Sequence, residues 1–130
     1  MKIAHVAYHV SNMEQSLDFY VNKLGLEHSF SIENNEGKPW IEYLKITDGQ
    51  FIELFYGGSE PNEHPHAYAH LCLEVEDIHE CAGFLKEKGL TLDVEPVQGK
   101  DLNWQCWVSD PDKNPIEFMQ ISEASPQAKA

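Results

Sequence analysis

Four residues that can bind a metal ion occupy matching positions in the two halves of the 130-residue chain. The histidines, His5 and His70, are 65 positions apart, and the glutamates, Glu53 and Glu117, are 64 positions apart. Two neutral imidazoles and two carboxylates suit a divalent ion such as zinc, nickel, cobalt, manganese or iron. Four protein ligands leave one or two positions for water or substrate, as a catalytic metal requires. These residue types leave the identity of the metal open.

The spacing of these residues belongs to an internal repeat that extends over about fifty residues of each half. Residues 4–10 (AHVAYHV) align with residues 69–75 (AHLCLEV). After a one-residue gap, Gly25-Leu26 aligns with Gly89-Leu90. Agreement of this length and order is hard to produce by chance, so the chain is predicted to contain two copies of one structural unit.

Each half carries signals for the same order of elements, βαβββ. In the first half, alternating apolar and polar residues predict a strand over 3–10, and residues 11–14 have the pattern of a helix N-cap. This helix is predicted to run to Leu24, where Gly25 ends it. The remaining predicted elements are strands at about 27–34, 39–47 and 50–56, a strand at 68–75, a helix from 77 to 88, and strands at about 91–97, 103–109 and 115–121.

Strand alternation places the four candidate ligands on the faces that point away from the helices. In the first strand, for example, His5 lies opposite Val6 and Tyr8, which are suited to pack under the helix. Six neighbours of the ligands are predicted to line a substrate pocket: His9, Glu74, Phe51, Phe55, Trp104 and Met119. For His9 and Glu74, the alternative is a plain cross-strand polar pair. Alternation allows Trp104 or Trp107 to line the pocket, but not both.

Composition excludes several classes of partner. The formal net charge is −13, so the chain repels phosphate backbones and anionic lipids, and neither nucleic acid nor membrane is an expected partner. All nine basic residues are lysines, which removes the usual bidentate clamp for carboxylate and phosphate groups. Three cysteines without a CxxC motif, and an N-terminus without a long apolar core, lead us to expect a cytoplasmic protein. His64 and His66 are expected to be solvated loop residues, with a second metal site as the alternative.

Taken together, the repeat and four short motifs resemble the vicinal oxygen chelate superfamily, the group of glyoxalases, bleomycin-resistance proteins and extradiol dioxygenases. The motifs are FY-x3-LG at 19–25, IEL at 52–54, AHL at 69–71 and DP-x4-IEF at 110–118, and the resemblance covers about residues 2–121. It implies an α+β fold in which two βαβββ modules form a cup-shaped, partly closed mixed β-sheet around one metal, often completed across a homodimer.

The resemblance also implies a domain organisation. A single domain is expected over 1–121, with modules at about 2–56 and 68–121 and a linker at about 57–67. Residues 122–130 are expected to form a flexible tail.

Within that superfamily, the order His, Glu, His, Glu is most similar to glyoxalase I. The similarity implies that His5, Glu53, His70 and Glu117 bind the metal and that Glu117 and Glu53 are catalytic. The implied reaction is that of a carbon–sulfur lyase, which enolises a small carbonyl or hemithioacetal substrate through a metal-stabilised enediolate. The arginine that holds glutathione in glyoxalase I is replaced by His9, so glutathione is not an expected co-substrate.

Two other functions occur in the same superfamily. An extradiol dioxygenase with iron(II) would need only one carboxylate ligand, which Glu53 argues against. A drug-binding protein of the bleomycin-resistance type would suit an acidic, aromatic-lined cup, but it has no need of four ligands. The expectation is therefore an enzyme with one divalent metal per site and a small-molecule substrate that the sequence does not identify.

Overall fold

The computed structural model describes residues 3, 5–58, 68 and 70–130. The chain divides into two compact units, Met1–Asn62 and Glu63–Ala130. Their boundary falls within the predicted linker 57–67. Most of that linker, including the expected loop histidines His64 and His66, lies outside the described residues. The repeat positions Ala4 and Ala69 lie outside them as well.

The first unit has the predicted βαβββ order. Its elements are β1 (His5–His9), α1 (Met13–Leu17), which continues as a π-helical segment (Asp18–Lys23), and the strands β2 (Glu27–Glu33), β3 (Pro39–Thr47) and β4 (Gln50–Phe55). The sheet order is β1-β4-β3-β2. Strand β1 is parallel to β4, and the other neighbours are antiparallel.

The helix of this unit begins within the predicted capping segment 11–14, with its N-cap one residue after Ser11, and it then changes its winding. Asn12 is the N-cap, and its side chain accepts a hydrogen bond from the backbone N–H of Gln15. From Asp18 onward the helix is π-helical, a local widening that the sequence signals do not predict. The segment buries Phe19 and Tyr20 almost completely, and Gly25 follows it with a positive φ of 80°.

The second unit repeats the order. Its elements are β5 (Leu71–Glu74), α2 (Ile78–Glu87), β6 (Val94–Gln98), β7 (Trp104–Ser109), β8 (Pro115–Gln120) and a short helix α3 (Pro126–Lys129). The sheet order is β5-β8-β7-β6, with β5 parallel to β8. The two mixed four-stranded sheets and their few helices confirm the α+β fold class and the repeated modules.

The end of the chain has local structure. Ser125 is fully buried and caps α3 by accepting from the backbone N–H of Ala128. The amide of Asn103 donates to Gln127 at 3.1 Å, and its oxygen accepts from the backbone of Ser122 at 2.9 Å. The prediction of a flexible tail over 122–130 does not anticipate these contacts.

Each unit has its own apolar core between sheet and helix. In the first, Leu44, Ile52 and Leu54 are fully buried together with Tyr20 of the helical segment. In the second, the buried core side chains are Ile78, Leu85, Cys106, Val108 and Ile116. The buried strand residues lie on the opposite face of their sheet from the candidate ligands Glu53 and Glu117, so packing of the helix fixes which strand residues face away from it. No helix among the residues that the structure describes is long and apolar enough to cross a membrane.

Candidate metal centre

The first unit brings His5 and Glu53 together. Strand β1 runs beside β4 with His5 opposite Phe51 and Ala7 opposite Glu53, so the imidazole reaches the carboxylate diagonally. His5 Nδ1 lies 3.4 Å from Glu53 Oε1. Glu53 is 5% exposed, whereas the His5 side chain is half exposed. A buried carboxylate is costly unless cations or hydrogen-bond donors surround it, so Glu53 is held at a polar centre.

The second unit builds the same arrangement from repeat-equivalent residues. Cys72 lies opposite Glu117 across β5 and β8, as Ala7 lies opposite Glu53. His70 Nε2 is 3.2 Å from Glu117 Oε2, and Glu117 is also 5% exposed. Within either unit, the described residues include no group of three or more His, Cys, Asp or Glu side chains arranged to hold a metal ion. Each unit thus brings one histidine and one glutamate together, and that these residues bind a metal stays a prediction.

The separations within the two pairs fit donors that share a metal ion. Two atoms bound about 2.1 Å from one ion lie about 3.0 Å apart at a right angle and about 3.4 Å apart at the tetrahedral angle. A direct hydrogen bond from a ring nitrogen to a carboxylate is shorter, about 2.7–2.9 Å. Such a short contact occurs elsewhere in the first unit, where His28 Nε2 lies 2.6 Å from Glu42 Oε2. The donor types and separations of the His5–Glu53 and His70–Glu117 pairs therefore fit a divalent metal.

Each glutamate has a further neighbour that sequence reasoning missed. Tyr43 lies opposite Glu53 across β3 and β4. A hydrogen bond with Glu53 and partial burial raise the pKa of the Tyr43 hydroxyl. Cys72 forms the corresponding hydrogen bond with Glu117, and partial burial and the charge of Glu117 raise the pKa of its thiol to about 12. Neither contact could be predicted, because it depends on the strand register as well as on alternation.

The tryptophan nearest the second pair is Trp107. It lies opposite Glu117, its ring centroid is 4.9 Å from that of His70, and its Nε1 donates to Gln105 Oε1 at 2.7 Å. Trp104 lies opposite Gln120, on the other face of the sheet, with its ring centroid 5.4 Å from that of His79 in α2. The expectation that Trp104 shares the face of Glu117 is wrong, because Trp104 and Trp107 are three positions apart and therefore lie on opposite faces of β7.

The other predicted pocket residues lie on the expected faces. Phe51 and Phe55 alternate with Ile52 and Leu54 and so share the face of Glu53, where the His9 ring lies 5.2 Å from Phe55. Glu74 lies opposite Met119, which shares the face of Glu117. That these residues contact a substrate stays a prediction.

An aromatic cluster extends the face of the first unit. The Phe30 ring stacks on Tyr43 with centroids 4.3 Å apart, and Phe51 lies 6.3 Å from Phe30 and 5.9 Å from Tyr43. Phe30 remains 44% exposed. The His5–Glu53 pair is thus next to a wall that can contact a flat or apolar ligand.

Comparison with known proteins places the chain in a family. Residues 2–118 match the family model of the Glyoxalase/Bleomycin resistance protein/Dioxygenase superfamily. The chain belongs to this superfamily. It is 32% identical over 126 residues to a lactoylglutathione lyase from Haemophilus influenzae, covering 92% of this chain and 93% of that relative. Relatives of that name, matched over almost their whole length, support a glyoxalase-type function.

Two solved structures share the fold. A glyoxalase I mutant from Zea mays superposes with a TM-score of 0.79 at 20% identity, covering 93% of this chain and 45% of that one. TnmS3, an antibiotic binding protein from Streptomyces sp. CB03234, superposes with a TM-score of 0.71 at 24% identity, covering 94% and 97% of the two chains. At these identities the likeness shows the fold alone.

Proposed function

We propose that the protein is a metal-dependent lyase or isomerase of the glyoxalase type, acting on a small carbonyl compound or its thiol adduct. The observation that carries the proposal is the pair of equivalent His–Glu contacts. Each has a buried glutamate and a ring nitrogen 3.2–3.4 Å from its carboxylate. A binding protein that needs only an apolar cup has no use for two buried carboxylates.

The proposed ligands are His5, Glu53, His70 and Glu117, with both pairs holding one divalent ion. The pairs can come from one chain or from two copies of it, since each unit builds its pair independently. Superfamily members generally use a divalent metal. When bound, such an ion supplies Lewis-acid polarisation of a substrate oxygen and stabilises negative charge that develops there.

The glutamates supply the proton transfer in this proposal. A carboxylate can take a proton from the carbon beside a carbonyl group and return it to the neighbouring carbon. Tyr43 is a stronger hydrogen-bond donor than the Cys72 thiol, so it holds Glu53 more firmly than Cys72 holds Glu117. Glu117 is therefore the carboxylate better able to move toward the substrate, and Glu53 is the second catalytic carboxylate.

The surrounding side chains position the substrate. Phe51 and Phe55 on one pair's face, and Trp107 and Met119 on the other's, offer apolar contacts and exclude water from the carboxylates. The sequence has no arginine to pair with the carboxylates of a peptide thiol. These features favour a small, uncharged carbonyl compound as the substrate.

A second candidate function is drug binding. The exposed Phe30, stacked on Tyr43, gives an aromatic surface of the kind that flat drugs contact, and the net charge of −13 favours a cationic one. The two functions differ in their need for a metal, because drug stacking on an aromatic wall requires none.

The experiment measures metal per chain after dialysis, together with exchange of substrate protons for solvent deuterium. Glu117→Gln keeps the side-chain shape and removes one ligand charge, so it should lower metal content and abolish exchange. His5→Ala should lower metal content as well. The matched control is Glu42→Gln, which changes another buried glutamate with a histidine partner, on the opposite face of the first sheet. Full metal retention in Glu117→Gln and His5→Ala would contradict the ligand assignment, and a metal-free wild type that binds cationic drugs would favour the second function.

A further inference from the structure

A second cleft lies in the first unit, on the face of the sheet that packs against the helix. Its volume is about 450 Å³, within the range of small-molecule sites. It is lined by Glu14, Leu17, Asp18, Val21, Asn22 and His28. His28 lies opposite the buried Leu44, so it faces the helix, whereas His5 and Glu53 face the other way. The cleft is thus separate from the His5–Glu53 pair.

The orientation of His28 is fixed by Glu42. The Glu42 carboxylate is 6% exposed and accepts from His28 Nε2 at 2.6 Å, from Tyr56 at 2.9 Å and from Ser31. Burial alone would raise the pKa of Glu42, but the hydrogen bonds from Ser31, His28 and Tyr56 outweigh it and lower the pKa. A carboxylate only accepts, so the Nε2 of His28 carries the proton. In the neutral imidazole, Nδ1 is then an acceptor.

Most of the remaining polar atoms of the cleft are acceptors. Asn22 donates one amide N–H to Asp18 Oδ1 at 3.0 Å, and its amide oxygen adds an acceptor beside the second N–H. Glu14 and Asp18 contribute carboxylates. Lys23 Nζ lies 3.4 Å from Asp18 Oδ2, but this ion pair is exposed on both sides and is easily exchanged. Leu17 and Val21 give the cleft an apolar part.

We propose that this cleft binds a small organic cation with several N–H donors and a short alkyl chain, such as an alkylguanidinium or alkylammonium ion. Its N–H groups meet the carboxylates of Glu14 and Asp18 and the Nδ1 of His28, and its alkyl chain packs on Leu17 and Val21. Two carboxylates and an imidazole nitrogen outnumber the donors that Asn22 and Lys23 offer to a ligand rich in acceptors, and the net charge of −13 attracts cations to the surface.

The test compares n-butylguanidinium with n-butylurea, its neutral isostere, by calorimetric titration at pH 8. The cation should bind at least about tenfold more tightly, since only it gains charge-assisted hydrogen bonds. The His28 ring resonances should shift on titration with the cation. The double substitution Glu14→Gln and Asp18→Asn should remove the preference for the cation over the urea.

A second pair of variants keeps the proposal falsifiable if the double variant folds poorly. Lys23→Gln removes the ammonium ion that competes for Asp18, so it should tighten binding of butylguanidinium. Lys38→Gln makes the same charge change at a lysine that pairs with Glu36 outside the cleft, and it should leave binding closer to wild type. Equal binding of the urea and the cation, or equal effects of the two lysine substitutions, would overturn the proposal.

Discussion

Glu42→Gln should destabilise the first unit even though it removes no atom from the core. Glu42 projects from β3 onto the face that also carries the fully buried Leu44 and Leu54. Its carboxylate accepts from three side chains, His28, Ser31 and Tyr56. Glutamine has the same shape, but its amide nitrogen is a donor and would face at least one of these donors.

The size of the effect follows from those contacts. A hydrogen bond to a charged group contributes about 1.5–3 kcal/mol, and burial of the charge opposes the sum by several kcal/mol. Glutamine keeps one acceptor, and the Ser31 hydroxyl can rotate to accept from its amide. We therefore expect the free energy of unfolding to fall by about 1–3 kcal/mol. For a chain of this length, the loss corresponds to a decrease in Tm of about 4–12 °C.

The effect should depend on pH with a definite sign. The pKa of Glu42 is lowered in the folded protein from its ordinary value of 4.5. The unfolded chain therefore takes up the Glu42 proton near pH 4.5, before the folded chain does. The contribution of the ionised group is fully present above pH 4.5 and is lost as the pH falls through the lower folded pKa.

Denaturant unfolding of the two proteins from pH 7 to pH 3 measures both features. The difference in unfolding free energy should be constant down to about pH 5 and should then shrink. Glu33→Gln is the matched control, since Glu33 is an exposed glutamate at the end of the neighbouring β2. An equal loss for Glu33→Gln and Glu42→Gln, or a difference that does not change with pH, would refute this account of Glu42.

Three further predictions concern assembly, substrate and thiol chemistry. Superfamily members are often dimers, and we expect sedimentation to give a homodimer of 14.8 kDa chains; a monomer at micromolar concentration would contradict this. Because the sequence has no arginine, the glutathione adduct of methylglyoxal should be turned over well below about 10 per second; steady-state kinetics at or above that rate would show the inference wrong. A hydrogen bond from Cys106 lowers the pKa of Cys81, so iodoacetamide should alkylate Cys81 before the buried Cys106, as peptide mass spectrometry would show; Cys106→Ala should slow the labelling of Cys81, and an unchanged rate would contradict this cause.

Much of the fold could be predicted because the signals are local and occur twice. The N-caps Asn12 and Asp77 and the helix-ending Gly25 and Gly89 lie where their residue types indicate. Alternation also predicted that His5 and Glu53 face away from the helix. Shifting either strand by one residue would turn its apolar side chains away from the helix and bury the candidate ligand under it. The internal repeat then predicted the same orientation for His70 and Glu117 in the second unit.

The features that could not be predicted depend on pairing between distant segments. The contact of Tyr43 with Glu53 requires the register of β3 against β4. The choice between Trp104 and Trp107 required the register of β7 against β8, since alternation left both open. The π-helical segment, which buries Phe19 and Tyr20, has no simple sequence signal.

The contact of the exposed His28 with the buried Glu42 was missed for the same reason. A glutamate between Ile41 and Tyr43 follows the alternation expected of a solvent-exposed position. Its burial depends on three donors that come from β2 and from the residue after β4. Only the assembled sheet shows that the Glu42 carboxylate is buried with hydrogen-bond donors rather than exposed to solvent.

The repeat separates the roles of the two kinds of His–Glu pair. His5 and Glu53 recur in the second unit as His70 and Glu117, with nearly the same separation of 3.2–3.4 Å. At the 64-residue offset that relates Glu53 to Glu117, Glu42 corresponds to Cys106 and His28 corresponds to Leu92. The contact of His28 with Glu42 at 2.6 Å therefore has no counterpart in the second unit.

This difference matches what each proposed site needs. A four-ligand metal centre requires two pairs, and duplication of one module supplies both at once. The cleft beside His28 needs a single histidine, whose Nε2 is held by Glu42. Residues of one module are therefore enough to form this cleft. The loss of metal in Glu117→Gln and the loss of cation binding in Glu14→Gln with Asp18→Asn should therefore be independent of each other, since the two sites share no residue and lie on opposite faces of the first sheet.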